Sequence, residues 1–494
     1  MLPGHFSRKR TFFAAMNPAY EAVIGLEIHA QLQTESKLFN SDGTAFGAPP
    51  NTQVGAITLG HPGTLPRLNR RAVEFAIRMG LACNCRIMNN SFFARKHYFY
   101  PDLSKAFQTT QHTHPICLNG QVVIHPAGGT RAVRMHHIHL EEDAGKSIHN
   151  AADAYTSVDY NRAGVPLIEI VSEPDLYSAE EAYLYFSEIR RLVQWLGICD
   201  GNLEEGSMRC DVNISLRRKG DTTLGTKVEI KNLNSLRNMR KAIEVETQRL
   251  SDLLDKGEAV IQQTRSFDAA TDTTFALREK EEANDYRYFP EPDLPPIHFS
   301  DDFLQQITEA MPALPQQLQT DLETQYGLSA YDAALLCQDR PTATYFLAAA
   351  GHTTNYKAVA NWINGPLRSY LNEARTGFDT LALQPQQLAD LITLVESGQA
   401  NFSVASARVF PAMLGSAQTA LEVATTLNVL QVNDTAELAQ WVSEALAALP
   451  DKVAEYKKGK KGLIGLFVGE VKKRSKGKAD PRLVTEMLEQ KLKQ

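Results

Sequence analysis

Gly25-Leu-Glu-Ile-His29 and Leu167-Ile-Glu-Ile-Val-Ser-Glu173 decide how this chain is read. Side chains of a strand point alternately to its two faces, so Glu27 and His29 share one face and Leu26 and Ile28 the other. Glu169 and Glu173 likewise share a face inside an otherwise apolar strand. His139-Leu-Glu-Glu-Asp143 puts His139, Glu141 and Asp143 on one face and Glu142 on the other. Arg209, Asp211 and Asn213 alternate in the same way, as do Lys227, Glu229 and Lys231. One such strand is ordinarily a solvated sheet face. Several together, beside neighbours such as Ile168, Ile170 and Val171, describe half-buried carboxylates that need a cation or hydrogen-bond donors. Glu and Asp oxygens suit Mg²⁺ or Mn²⁺, and Lys and Arg on neighbouring strands suit phosphate. The spacing therefore predicts a metal–nucleotide site on an open β-sheet, with metal-assisted phosphoryl transfer as its chemistry.

Outward from these strands, residues 20–297 read as one large β-rich unit. Strand-like runs cover Ala22–Ile28, Val122–His125, Val133–His139, Pro166–Val171, Met208–Leu216 and Thr226–Ile230. Helical periodicity covers Arg70–Leu81, Ala179–Leu196 and Arg237–Leu254. Pro290-Glu-Pro-Asp-Leu-Pro-Pro296 interrupts both patterns and predicts a boundary. Beyond it, Phe303, Leu304, Ile307 and Met311 form one helical stripe, and Leu388, Leu391, Ile392 and Val395 another, closed by Gly398. A second boundary is expected near 398–412. The expected class is α+β: a large open antiparallel sheet domain (20–297), a helical domain (298–405) and a small helical tail (406–494).

Composition narrows the alternatives. The 494 residues are 43% hydrophobic and 22% charged, which is ordinary for a globular chain of several domains. A net charge of −6 excludes a global polycation but leaves room for a local basic patch. Six cysteines do not make a disulfide scaffold, so a reducing, cytoplasmic setting is expected. Residues 1–19 read as a disordered extension or an upstream start, with Met16 as the working start. Targeting by the basic first sixteen residues is the less favoured reading.

Several motifs lead nowhere. Ala144-Gly145-Lys146-Ser147 ends like a phosphate loop, but Leu140 stands where the first glycine must be, and Glu141, Glu142 and Asp143 would repel phosphate. No Ser-Ser dipeptide offers an amidase centre, and Cys83-Asn-Cys85 lacks a second pair at zinc-finger spacing. Cys117, Cys199, Cys210 and Cys337 show no nucleophile context. The chain thus offers activation chemistry without a means of releasing ammonia from glutamine.

VIGLEIHAQL (23–32), HPGTLPRLNRRAV (61–73), RKHYFYPDL (95–103), HLEEDAGKS (139–147), NRAGVPLIEIVSEPD (161–175), EEGSMRCDVNISL (204–216), KVEIKNLNS (227–235) and DYRYFPEPDLP (285–295) closely resemble, in order, the B subunits of the glutamyl/aspartyl-tRNA amidotransferases. The helical end resembles the family's YqeY-type tail. The resemblance implies a glutamine-dependent carbon–nitrogen ligase that works in a heterotrimer, its partners being the glutaminase (the A subunit) and the C subunit. It implies ATP and Mg²⁺ as cofactors, and misacylated Glu-tRNA(Gln) or Asp-tRNA(Asn) as substrate. ATP would phosphorylate the side-chain carboxylate and ammonia would displace the phosphate. Carried over, Glu27, His29, Glu141 and Glu169 resemble metal ligands, and Glu142 with Lys96 resembles the mouth of the ammonia channel. A β-bulge would exchange Glu141 and Glu142. Arg209, Asp211, Asn213, Lys231 and Asn232 would line the ATP or acceptor-end pocket, with turn chemistry as the other reading of Asn232 and Asn234. Tyr98, Phe99 and Tyr100 are either core or a stacking surface for the tRNA acceptor end.

One departure stands out. Many family members bind zinc through four cysteines, but here Asn40, Asp42, Gly55 and Thr58 occupy those positions, so no zinc is expected and packing is expected to hold the loop. In the tail, nine Lys or Arg against one acid, Glu470, lie between Lys457 and Lys478. Lys472, Lys473 and Arg474 are the expected tRNA contacts. Gly459, Gly462, Gly465 and Gly469 are expected to allow close backbone approach. Two other classes remain: a stand-alone ligase using free ammonia, and a tRNA-binding adaptor, against which the intact carboxylate set argues.

Overall fold

The computed structural model describes residues 19–149, 154–279, 286–431, 435–475 and 478–493. The expectation for residues 1–18 lies outside them. The described residues form two compact units, the first ending at Leu314 and the second beginning at Pro315. Among the described residues, no helix is long and apolar enough to cross a membrane.

The first unit is built on a long sheet. Ten strands define its main path: β1 (Tyr20–Gln31), β2 (Ala94–His97), β3 (Phe107–Thr110), β4 (Arg131–Glu142), β5 (Pro166–Ser172), β6 (Met208–Arg218), β7 (Val228–Leu233), β8 (Gln263–Asp268), β9 (Thr273–Glu279) and β10 (Phe289–Pro290). Their order across the sheet is β9-β8-β7-β6-β1-β5-β4-β3-β2-β10. Each pairing on this path is antiparallel except β7 with β8, which is parallel. The exception has a simple cause: parallel neighbours need a crossover, and the helix Leu236–Asp255 supplies it.

Three helices pack on the sheet: α1 (Arg70–Ala82), α2 (Ala179–Trp195) and α3 (Leu236–Asp255). Asn69, Ser178 and Ser235 cap their first turns by accepting backbone N–H bonds, so each helix starts where its apolar stripe starts. The buried core takes Ile24, Leu26 and Ile28 from β1, Ile168 and Ile170 from β5, and Cys210, Val212 and Ile214 from β6. The alternate positions of the same strands face away from this core, and they carry the charges.

The proline stretch does not end this unit. Phe289 and Pro290 pair with Arg95 and Ala94 on the outermost strand, where a missing N–H costs no ladder bond. Ile297 bridges Ser91, and the helix α4 (Asp301–Glu309) turns Ile307 into the same core.

In the second unit, Leu388, Leu391 and Ile392 are the buried stripe of Pro385–Glu396, and Gly398 leaves that helix with φ +69°. The expected boundary at 398–412 falls on a packed helix. Phe402–Met413 runs through a π-turn at Ala405–Val409 and buries Ala405, Val409, Phe410 and Met413. A separate apolar cluster begins only at Leu438 and gathers Val442, Phe467, Val471, Val484 and Leu488.

Candidate functional site

Register builds the site. His139 of β4 lies opposite Glu169 of β5, Glu169 opposite His29 of β1, and His29 opposite Arg209 of β6. Four strands thus place four polar side chains in one row on the face turned away from the core. His29 Nε2 lies 3.1 Å from Glu169 and 3.7 Å from Glu141. His139 Nε2 lies 3.4 Å from Glu141 and 3.7 Å from Glu169. Thr110 donates to Glu141 at 3.1 Å. Among the described residues, the buried Nδ1 of His29 has no hydrogen-bond partner.

These charges hold one another. Burial would raise the Glu169 carboxyl, but His139, His29 and Lys96 pull it well below the usual carboxylate range. Burial would lower the His139 imidazole, and Glu169 and Glu141 raise it instead. Two residues back along β1 from His29, Glu27 lies opposite Asp211, and with Glu229 these offer ligand atoms within 4.8 Å of one another; His29, Glu141 and Glu169 do the same. Burial raises the Glu27 carboxyl, and Glu169, Glu229 and Asp211 raise it further against a 2.7 Å bond from Asn213 Nδ2. The four expected metal ligands therefore fall into two neighbouring clusters, with Glu27 in the second.

The donor set fits a hard divalent cation. Carboxylate oxygens dominate both clusters, and three carboxylates this close repel one another unless positive charge sits among them. Lys231 supplies part of that charge, with Nζ 2.8 Å from Asp211 and 3.1 Å from Glu229. Lys231 thus meets Asp211 and Asn213 meets Glu27, whereas the side chain of Asn232 lies outside those described. Glu229 joins them without having been expected as a site residue, although its alternation with Lys227 and Lys231 was the available signal.

Glu141 and Glu142 do face opposite ways, and the irregularity in the β4–β5 ladder falls between Val171 and Ser172 instead. Glu142 does not meet Lys96. Its carboxylate is bonded by Lys105 Nζ and, at 2.9 Å, by the backbone N–H of Thr109. Lys96 belongs to the other face, where Glu141 and Glu169 raise its pKa against burial and its ammonium lies 4.9 Å from the Tyr286 ring centre. The strand period explains the separation. Phe99 and Tyr100 are exposed by 84% and 60%, so neither is core.

The loop at 40–58 is held by hydrogen bonds, not by packing alone. Asp42 accepts from Gly55 N and from Thr58 Oγ1, both at 2.7 Å, and Asn40 Nδ2 donates to Thr58 at 2.9 Å. All six cysteines are buried, and burial pushes the thiols of Cys85 and Cys199 up to about 12, which makes both poor nucleophiles. In the tail, Lys472 and Lys473 are exposed, while Arg474 is paired with Glu470 at 3.0 Å. Gly462, Gly465 and Gly469 have open space where a side chain would stand, so they serve no close approach within the chain.

Helices cover one face of the open sheet, and carboxylates, imidazoles and a guanidinium stand in register on the other. Residues 22–305 match the GatB/GatE catalytic domain and residues 344–492 the GatB domain of YqeY type. The chain is 47% identical over 473 residues to the B subunit of the aspartyl/glutamyl-tRNA(Asn/Gln) amidotransferase of Oleidesulfovibrio alaskensis, covering 96% of this chain and 99% of that one. The protein of the same name from Myxococcus xanthus is 46% identical, with 96% and 98% covered, and that from a Synechococcus is 45% identical, with 98% and 99% covered. The chain belongs to the GatB family, the B subunits of the tRNA-dependent amidotransferases, which are glutamine-dependent carbon–nitrogen ligases.

Proposed function

We propose that the open face of the sheet activates the side-chain carboxylate of Glu-tRNA(Gln), Asp-tRNA(Asn) or both with ATP, and passes it to ammonia. The observation that carries this reading is the row His139–Glu169–His29–Arg209 beside the Glu27–Asp211–Glu229 cluster. A carboxylate oxygen takes the γ-phosphoryl group and ADP leaves. Ammonia then attacks the carbonyl carbon, the C–O bond to phosphate breaks, and the nitrogen sheds a proton. His29, Glu141 and Glu169, or Glu27, Asp211 and Glu229, would hold Mg²⁺, which would supply charge neutralisation at the phosphates.

The chain's own residues do the rest. Arg209 and Lys231 present fixed cations to the nucleotide. Asn213 orients Glu27. Glu142 keeps its place at the entry for ammonia, with Lys105 rather than Lys96 as its partner. Lys96, on the face of Glu141 and Glu169, offers a cation to the activated carboxyl group, and Phe99 and Tyr100 offer stacking faces to the acceptor end. Ammonia comes from the glutaminase partner, the A subunit, with the C subunit completing the assembly, in the cytoplasm.

The test is ATP cleavage by the reconstituted complex with Glu-tRNA(Gln), Asp-tRNA(Asn) and uncharged tRNA. Cleavage that requires a misacylated tRNA and drops at least ~100-fold in Glu169→Gln supports the reading. Cleavage indifferent to the attached amino acid, or intact in Glu169→Gln, overturns it.

A further inference from the structure

Arg209 is about a third exposed on the open face (36%), yet its guanidinium has a fixed position. The group that fixes it is Asp143, the residue just after β4, which is 3% exposed. Arg209 Nη2 donates to Asp143 Oδ1 at 3.1 Å and Nη1 lies 3.4 Å from Oδ2. Gln31, the last residue of β1 and two positions beyond His29, donates to Oδ2 at 2.7 Å. Arg162 Nε lies 3.7 Å from the same oxygen and donates to the carbonyl of Ala144 at 2.9 Å, while its Nη2 donates to that of Gly145 at 2.6 Å. The N–H of Ala144 donates to Oδ1 at 2.9 Å. One buried carboxylate therefore ties β1, β6 and the turn after β4 together at the end of the His29 row.

We propose that Asp143 is a positioning residue: it clamps one edge of the Arg209 guanidinium so that the remaining N–H groups face the phosphates on the open sheet. The inference rests on the reading that Arg209 meets the nucleotide. An arginine has five N–H donors in a rigid plane, so a carboxylate on one edge aims the others. A free arginine at this exposure samples many rotamers and must give up that freedom when it binds. Gln31 and Arg162 hold the carboxylate in its turn, which is why the clamp is built from three segments and not one.

The experiment is steady-state ATP cleavage by the reconstituted amidotransferase with misacylated tRNA, for Asp143→Asn, Arg209→Lys and the double variant, with Tm for each. Arg209→Lys is expected to raise KM for ATP about tenfold, Asp143→Asn by a similar factor, and the double variant by little more than either. An unchanged KM in Arg209→Lys would mean that Arg209 does not meet ATP, which removes the premise. A raised KM in Arg209→Lys with an unchanged KM in Asp143→Asn, or single effects that multiply in the double variant, would overturn the clamp itself. Loss of Tm and active fraction at constant KM would make Asp143 a structural residue only, and would overturn the clamp as well. Should Asp143→Asn not assemble, Asp143→Glu keeps the charge, moves it by one methylene, and is expected to show the same KM rise.

Discussion

Lys37 has no exposed surface, and its ammonium donates to the carbonyls of Gln53 at 2.7 Å and Tyr160 at 3.2 Å, beside the Asp42 hydrogen-bond knot. Burial lowers its pKa from 10.5 to about 8, against the pull of Asp42, Glu142 and Asp159. A lysine that binds its proton less tightly when folded costs stability wherever the unfolded chain keeps that proton. The cost is fully present below pH 8 and fades as the pH rises toward 10.5. Between pH 7.5 and 10 the native chain should therefore gain about 2–3 kcal/mol relative to Lys37→Met in urea unfolding. Parallel curves for the two chains would refute the buried charge. The carboxylates that line the open face were legible as residues, because period-2 alternation in Gly25–His29 and Leu167–Val171 exposes them. Their partners were not. Glu142 and Lys105 lie 37 positions apart in sequence, and no local pattern joins them.

At the scale of the element, α1 shows how tightly the helical layer is fitted to the sheet. A Cβ on Gly80 would lie 2.4 Å from Cys117 Sγ and 2.8 Å from Ile87 Cδ1. Gly80→Ala must push the helix off its neighbours, and the expected loss is about 1–3 kcal/mol by thermal or urea unfolding despite alanine's better helix propensity. An unchanged or higher stability would show that the contact relaxes freely. At the start of α2, Ser178 accepts the Glu181 N–H at 3.1 Å. Ser178→Ala should cost about 1 kcal/mol and leave ATP cleavage as it was, since the cap lies on the core side of the sheet. A change in KM for ATP would place α2 closer to the chemistry than the fold does. The helices were readable from apolar spacing to within two residues at Arg70–Ala82 and Ala179–Trp195. The proline stretch was misread because the same prolines that end a helix also suit an outermost strand.

At the scale of the whole molecule, the basic tail makes a prediction about tRNA. Lys472 and Lys473 are exposed on Ile464–Arg474, whereas Arg474 already answers Glu470. Lys472→Ala with Lys473→Ala should weaken tRNA binding and lower the slope of log affinity against log salt by about 1.5. Arg474→Ala should change that slope less. Equal slopes for the double variant and the native chain would exclude these two lysines from phosphate contact. The helical character of the tail was legible in the sequence, but its start was not. The Phe402–Met413 helix hides its irregularity in a π-turn, which keeps the apolar spacing out of step with the backbone it belongs to.

By itself the sequence determined the class of this protein, its family and which charged residues alternate with apolar ones along the strands, because strand alternation and long ordered motifs are local signals. Only the tertiary structure decided which of those residues touch. Cross-strand register set His29, Glu141 and Glu169 together and put Glu27 with Asp211 and Glu229, and a turn brought Asp143 onto Arg209. Register and turn geometry follow from the packing of the whole core, where a shift of one residue would carry every one of these side chains to the wrong face.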